Sequence, residues 1–262
     1  MFHERTLSPT LSAVHDEYAP DSTVLDVDTD FETLSPAVAE DLGLLADALD
    51  PETYPADWLP DTVPTVLQRY ASDVFTIGMP GDGTVVWTRQ TEPPTVLVKQ
   101  RAEGTPDAFL SFLIAEAFVQ LNADVPEHFL AFFGDRYRAL DAAVPLGAND
   151  VYQIAAALFD GWVGLHTRET FVSWPEEPPY ASLSEAWVDA GDRLEPRLSN
   201  LSSLVARGEL SFPASTEYAC SAIKHDLDLP TPFSALDTAA YRDHGSAYAV
   251  QWADKTFEKL AE

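Results

Sequence analysis

Few residues of this sequence are placed to do acid–base or metal chemistry. Glu116 lies inside the apolar run 112–119, where burying a lone carboxylate is costly without a partner. His128 and His166 are candidate partners, and a cleft at which their helices converge with Glu116 would give a hydrolase, with Glu116 as general base and the histidines as ligands or acid–base groups. The alternative is a structural polar contact for Glu116, with Gln120 one turn further on. We expect the structural contact.

Known catalytic and cofactor motifs are missing from the sequence. It contains no HExxH, GxSxG, GxGxxG or GxxxxGK[ST] pattern and no paired Cys/His spacing. Cys220 is the single cysteine, for which we expect a buried apolar role. Alternating aspartates at 26–30 suggest a calcium loop, but the sixth and twelfth positions are Phe31 and Ala37 instead of glycine and glutamate. We therefore expect a solvated acidic turn, no metal site and no cofactor; a calcium- or magnesium-loaded protein is the least favoured hypothesis.

Positive residues on the predicted strands form a second group of candidates. Arg89, Lys99 and Arg101 lie on or beside these strands, and Arg89 and Lys99 meet across the sheet if the strands pair in order. Such a patch would bind a phosphate, an anionic metabolite or an acidic protein partner. The alternative is that each cation pairs with local acids. Trp174, between Ser173 and Pro175, is the tryptophan we expect at an exposed binding rim.

Net charge is the strongest compositional signal. The chain has 15 Lys+Arg against 43 Asp+Glu, a formal net charge of -28 at pH 7. At molar salt the Debye length is about 3 Å and this self-repulsion is screened, so the composition indicates a halophilic protein. A negative field disfavours binding to nucleic acid or anionic lipid. The sequence shows no secretion signal and no apolar run long enough for a membrane span, so we expect a cytoplasmic protein.

Periodicity predicts a mainly α (α+β) fold in a single α-rich domain over residues 1–262. Residues 1–68 form an acidic segment of helix and loop. Residues 73–101 form a small antiparallel β-meander, and residues 105–262 form a helical core. Three strands are expected in the meander, at Val74–Ile77, Val85–Arg89 and Thr95–Arg101. Thr105-Pro106-Asp107 is typical of a helix start, and the apolar helix that follows to Leu121 is expected to be central.

The order of hairpin, third strand and helix resembles the gluzincin-like metallopeptidases. In that family the helix after the sheet carries the zinc-binding HExxH motif, and Glu116 matches its catalytic glutamate. The two histidine positions are Ala115 and Val119 here, and neither residue can bind zinc. The resemblance thus implies a degenerate metallopeptidase-like fold without the activity.

In overall style the chain resembles uncharacterised protein families of halophilic archaea, filed as domains of unknown function. The resemblance rests on the exchange of lysine for acid, on the opening Met1-Phe2-His3-Glu4-Arg5, and on the strand-to-helix core around Val96–Leu121. It implies no activity. We therefore expect a non-enzymatic protein that binds a protein partner or a small anionic ligand, with the hydrolase as the alternative.

Overall fold

The computed structural model describes residues 2–31, 33–72, 77 and 83–260. Helices make up most of the described elements and short strands the rest, which confirms the mainly α (α+β) class. The chain divides into two compact units, each built from three segments. The first comprises Met1–Tyr54, Thr65–Glu127 and Thr170–Trp187, and the second Pro55–Pro64, His128–Glu169 and Val188–Glu262. The single domain over residues 1–262 stays a prediction.

The first unit contains a mixed sheet. The described strands of the unit are β1 (Phe2–Glu4), β2 (Thr23–Val27), β3 (Ala48–Leu49), β4 (Val85–Thr88), β5 (Thr91–Glu92) and β6 (Thr95–Val98). Four of them form a sheet in the order β1-β2-β6-β4, in which β2 and β6 are parallel and the other pairs antiparallel. β3 and β5 form a separate two-stranded sheet. Every residue of β6 is buried, as expected of an apolar strand with neighbours on both sides.

Two helices contribute many of the side chains in the core beside this sheet. The helices that lie wholly within this unit are α1 (Pro9–Tyr18), α2 (Pro36–Leu42), α3 (Thr65–Tyr70) and α4 (Asp107–Asn122). α1 packs on α4, and α4 packs on β4 and β6. Ser8 caps α1 by accepting a hydrogen bond from the Leu11 amide. α4 is apolar almost all round, which is typical of a helix buried within a core and confirms the predicted central helix.

The predicted β-meander is confirmed only in part. β4 and β6 pair antiparallel, with Thr88 opposite Thr95. The first predicted strand lies outside the described residues except for Ile77, which forms an isolated antiparallel bridge with Leu34. The segment predicted as helix and loop also supplies β1 and β2, a difference from expectation. Because β2 pairs with a strand distant in sequence, no local pattern indicates its place in the sheet.

The second unit is helical. Its helices are α5 (Phe129–Phe133), α6 (Arg136–Ala143), α7 (Ala148–Ser173, through Glu169), α8 (Ala181–Leu198, from Val188), α9 (Leu201–Ala206), α10 (Phe212–Lys224) and α11 (Ala239–Leu260). α7 approaches α10 closely, since a Cβ added at Gly161 would lie 3.0 Å from the Cys220 Cβ. Cys220 is buried at this contact, which confirms its predicted role.

A glycine interrupts α11. Gly245 has φ 49 and ψ -126, a left-handed conformation that disfavours any residue with a Cβ. The Trp162 indole donates to the Arg242 carbonyl just before the break, so a carbonyl freed by the kink is satisfied.

Across the described part of the chain, no helix is both long and apolar enough to cross a membrane.

Candidate functional site

The candidate catalytic residues are distributed over both units. Glu116 belongs to the first unit, on α4, and is 9% exposed between buried Ala115 and Ala117. One turn on, the Gln120 side-chain carbonyl accepts a hydrogen bond of 2.7 Å from the Trp87 indole. The polar end of α4 therefore contacts the neighbouring strand β4.

His128 belongs to the second unit and caps α5. Its Nδ1 accepts from the Leu130 amide at 3.1 Å, and its side chain is 4% exposed. Burial lowers the pKa of His128 to about 3, so the imidazole is neutral at physiological pH. Because Nδ1 accepts a hydrogen bond, the ring proton resides on Nε2. This geometry is that of a helix N-cap.

His166 lies on the exposed face of α7 in the second unit. Its ring centroid is 4.4 Å from that of Trp162, and its ring also hydrogen-bonds the Arg242 carbonyl. Desolvation lowers the pKa of His166, while the bond to the carbonyl acts in the opposite direction. His166 thus helps to hold α11 in place just before its kink. A metal centre gains no support, because the described residues contain no group of three or more His, Cys, Asp or Glu side chains that could bind an ion.

The predicted basic strand face does not form. Antiparallel pairing of Val85 with Val98 and of Thr88 with Thr95 puts Arg89 and Lys99 at opposite ends of the strand pair. The prediction that these two cations meet is therefore wrong, since two residues that follow antiparallel neighbours leave the sheet in opposite directions.

Each of the three cations is instead engaged within the first unit. The Arg89 guanidinium donates to the carbonyls of Leu121, Ala123 and Val125 at 2.7–2.8 Å, and it caps the C-terminal end of α4. Lys99 is 1% exposed, with its ammonium 4.7 Å from the Phe31 ring centroid. Arg101 donates to both carboxylate oxygens of Asp30 at 2.7 and 2.9 Å.

Trp174 is buried, so its predicted position at an exposed rim is wrong. It is 0% exposed and forms part of a 3-10 helix, Trp174–Glu176, that ends α7. Its ring lies 5.0 Å from that of Phe171 and 5.4 Å from that of Tyr180, measured between centroids. The prolines that follow end the helix, and the largest apolar side chain of the segment packs inward.

Sequence reasoning missed a buried polar cluster around Glu127. One carboxylate oxygen of Glu127 accepts from the Arg89 amide at 2.8 Å, and the other accepts from the Gln90 side-chain amide at 2.7 Å. The Thr88 hydroxyl is a third donor. Burial outweighs these donors and raises the pKa of Glu127 to about 7. Gln90 also accepts from the Glu52 amide at 3.2 Å.

The cluster is engaged in holding the fold. It fastens the segment after α4 and the loop around Glu52 to the turn that follows β4. A carboxyl with its pKa near neutrality is a common feature of active sites, but three donors here share its two oxygens. The only signal in the sequence was the pair Glu127-His128, which does not indicate burial.

A cleft in the second unit offers a more accessible site, which we call the arginine cleft. It has a volume of about 430 Å3 and is formed by the end of α8, by α9, by the turn after α9 and by α10. Its lining residues are Pro196, Arg197, Asn200, Leu201, Leu204, Arg207, Glu209, Leu210 and Tyr218. The size falls within the range of pockets that take small molecules.

Both arginines of the cleft are held by neighbours. Arg197 donates to the Tyr218 hydroxyl at 3.0 Å, and its guanidinium carbon is 5.4 Å from the Tyr218 ring centroid. Arg207 pairs with Glu209 through two contacts, of 2.7 Å from Nε and 3.2 Å from Nη2. Gly208 between them has φ 69, a turn conformation that suits glycine. The sequence did not indicate this cleft, because Arg197 and Arg207 are ten positions apart in a weakly helical stretch that matches no known motif.

Comparison with known proteins gives a family but no activity. The chain belongs to a family of unknown function, DUF7089, whose model matches residues 1–260. No curated protein matches the sequence. No solved structure matches it either.

Proposed function

We propose that this chain is a non-enzymatic binding protein and that its ligand is a small anion, bound in the arginine cleft. The observation that carries the proposal is the pair Arg197 and Arg207, each held by a neighbour beside an apolar wall of leucines. The proposal keeps the predicted ligand class and moves its site away from Arg89, Lys99, Arg101 and Trp174.

The local charge of the cleft supports anion binding. Its lining has two arginines and one glutamate, in a chain whose formal net charge is -28. A small anion is repelled by most of such a surface and is attracted where guanidinium groups line a concavity. Arg89, Lys99 and Arg101 are engaged with carbonyls, a ring and Asp30, whereas Arg197 and Arg207 are exposed.

Preorganisation supports the same site. An arginine loses side-chain entropy when it binds a ligand, and an arginine already held by a partner loses less. Tyr218 holds Arg197 and Glu209 holds Arg207. The proposal includes the predicted setting, a salt-rich cytoplasm, which the acidic composition supports. A protein partner remains a prediction.

The alternative hydrolase hypothesis gains no specific support from its own residues. His128 uses its acceptor nitrogen to cap α5, and His166 contacts Trp162 and the Arg242 carbonyl. A histidine that acts as an acid–base group must have its proton-accepting atom available to substrate.

Titration with inorganic phosphate, followed by calorimetry and by NMR of the Tyr218 ring, tests the proposal. Wild-type protein is compared with the double variant Arg197→Gln/Arg207→Gln. The control is Arg193→Gln. Arg193 lies on α8, as Arg197 does, but it pairs with Asp189 and is outside the cleft lining. We expect the double variant to bind at least about ten-fold more weakly than wild type and the control to be unchanged. Equal binding by wild type and the double variant would refute the proposed site.

A further inference from the structure

We propose that the ligand of the arginine cleft is a phosphomonoester with an apolar organic group. This assignment of ligand class rests on the proposed function, since it concerns the same site. It follows from how the two guanidinium groups are held, from the charged groups that line the cleft, and from the apolar residues beside them.

The guanidinium geometry favours an anion with three terminal oxygens. Each guanidinium has five N–H donors, of which Arg197 gives one to Tyr218 and Arg207 gives two to Glu209. Their remaining donors are enough for a forked pair of hydrogen bonds from each arginine. A carboxylate presents two oxygens in one plane, whereas the terminal group of a phosphomonoester presents three oxygens in a tetrahedral arrangement and so offers a second arginine an additional oxygen. The Tyr218 hydroxyl, which accepts from Arg197, keeps its own proton for donation.

Charge favours a dianion. At molar salt the Debye length is about 3 Å, so only groups in contact with the ligand determine its electrostatic energy. The distant acidic surface is then screened, and the charged groups that line the cleft are the two guanidiniums and the Glu209 carboxylate. A phosphomonoester carries about -1.5 to -2 charges at pH 7 and gains more from these contacts than a carboxylate with one charge. Glu209 is partly neutralised by Arg207 and is turned toward it.

The apolar lining favours an organic group attached to the phosphate. Leu204 and Leu210 are half-buried in the lining, and Leu201, also in the lining, is fully buried. A bare phosphate ion would leave this surface in contact with water. An alkyl chain that covers it gains about four-fold in affinity for each methylene removed from water.

The test uses three probes that separate the contribution of the phosphate from that of the alkyl chain: n-butyl phosphate, butyrate and inorganic phosphate. Calorimetry measures their dissociation constants with the full chain in molar KCl. We expect butyl phosphate to bind about ten-fold more tightly than either of the other two. Leu204→Asn and Leu210→Asn, made separately in case one of them unfolds the protein, should each abolish the preference for butyl phosphate over inorganic phosphate while inorganic phosphate binds as before.

A conservative variant tests the forked geometry. Arg197→Lys keeps the positive charge but loses the planar fork, so butyl phosphate should bind about ten-fold more weakly while butyrate changes less. Arg193→Gln again serves as the control. Phosphorus NMR of the mixture shows whether the ester stays intact, as a binding protein requires.

The outcomes separate this inference from the proposed function. Equal affinity for butyrate and butyl phosphate, lost in Arg197→Gln/Arg207→Gln, would overturn the phosphomonoester and leave the anion site in place. Absence of binding by all three probes would overturn both. Release of inorganic phosphate from the ester, abolished in the double variant, would contradict the non-enzymatic role.

Discussion

Replacement of Glu127 by glutamine should change how the stability of the protein depends on pH. The carboxyl of Glu127 is buried, and its folded-state pKa of about 7 lies above its ordinary value of 4.5. The folded state therefore binds the proton more tightly than the unfolded state does. Protonation stabilises the fold fully below pH 4.5, and this contribution is lost as the pH rises to about 7.

The size of the effect follows from that interval. One pKa unit corresponds to about 1.4 kcal/mol, so the interval between 4.5 and about 7 corresponds to roughly 3 kcal/mol in the free energy of unfolding. Glutamine has no ionisable proton and removes this dependence. It also loses one accepted hydrogen bond, from the Arg89 amide or the Gln90 side chain, which lowers stability by about 1 kcal/mol at every pH.

Urea unfolding at a series of pH values from about 5 to about 8, in molar KCl and followed by tryptophan fluorescence, measures both terms. The chain carries many other carboxylates, so the informative quantity is the difference between wild type and Glu127→Gln at each pH. We expect wild type to lose stability relative to the variant as the pH rises through this window. Glu103→Gln, at an exposed position, is the matched control and should give a constant difference. A constant difference for Glu127→Gln would show that its carboxyl titrates alike in both states, and the burial argument would be refuted.

Three further substitutions test other parts of the structure by urea unfolding. Arg89→Lys keeps the charge but cannot bridge three carbonyls, and should lower the free energy of unfolding by about 2 kcal/mol. Gly245→Ala should lower it by about 2 kcal/mol and by more than Gly104→Ala, since both glycines have positive φ but only Gly245 has a neighbour at 3.1 Å, the Phe132 ring. Trp174→Ala should lower it by about 4 kcal/mol, and phosphate binding by the folded fraction should be unchanged.

Local sequence patterns predicted the helices and strands whose own residues carry a clear apolar or β-branched signal. The apolar residues of α4 and the β-branched residues of β4 and β6 indicated these elements, and the structure confirms them. β1 and β2 were missed, because a strand that pairs with distant residues needs no turn or hairpin signal beside it.

The roles of single side chains depended on tertiary neighbours that no local pattern specifies. Arg89 was predicted to bind an anion, but the carbonyls at the end of α4 lie next to it in the fold and accept its donors. Lys99 was predicted to belong to the same anion-binding patch, and its ammonium instead lies over the Phe31 ring. Glu127 was not predicted to have a role, because its burial is set by the strand and loop that contact it.

A chain with few cations places a strong constraint on where anions bind. Cations that satisfy carbonyls or carboxylates of the fold, as Arg89 and Arg101 do, have few donors left for a ligand. At molar salt a diffuse positive field is screened over about 3 Å, so an anion site must rely on direct contact with donors that are already in position. Arg197 and Arg207 meet this requirement because Tyr218 and Glu209 hold them, and because a glycine turn brings Arg207 to the cleft. Composition alone predicts that such a site is rare in this protein, and the fold determines where it lies.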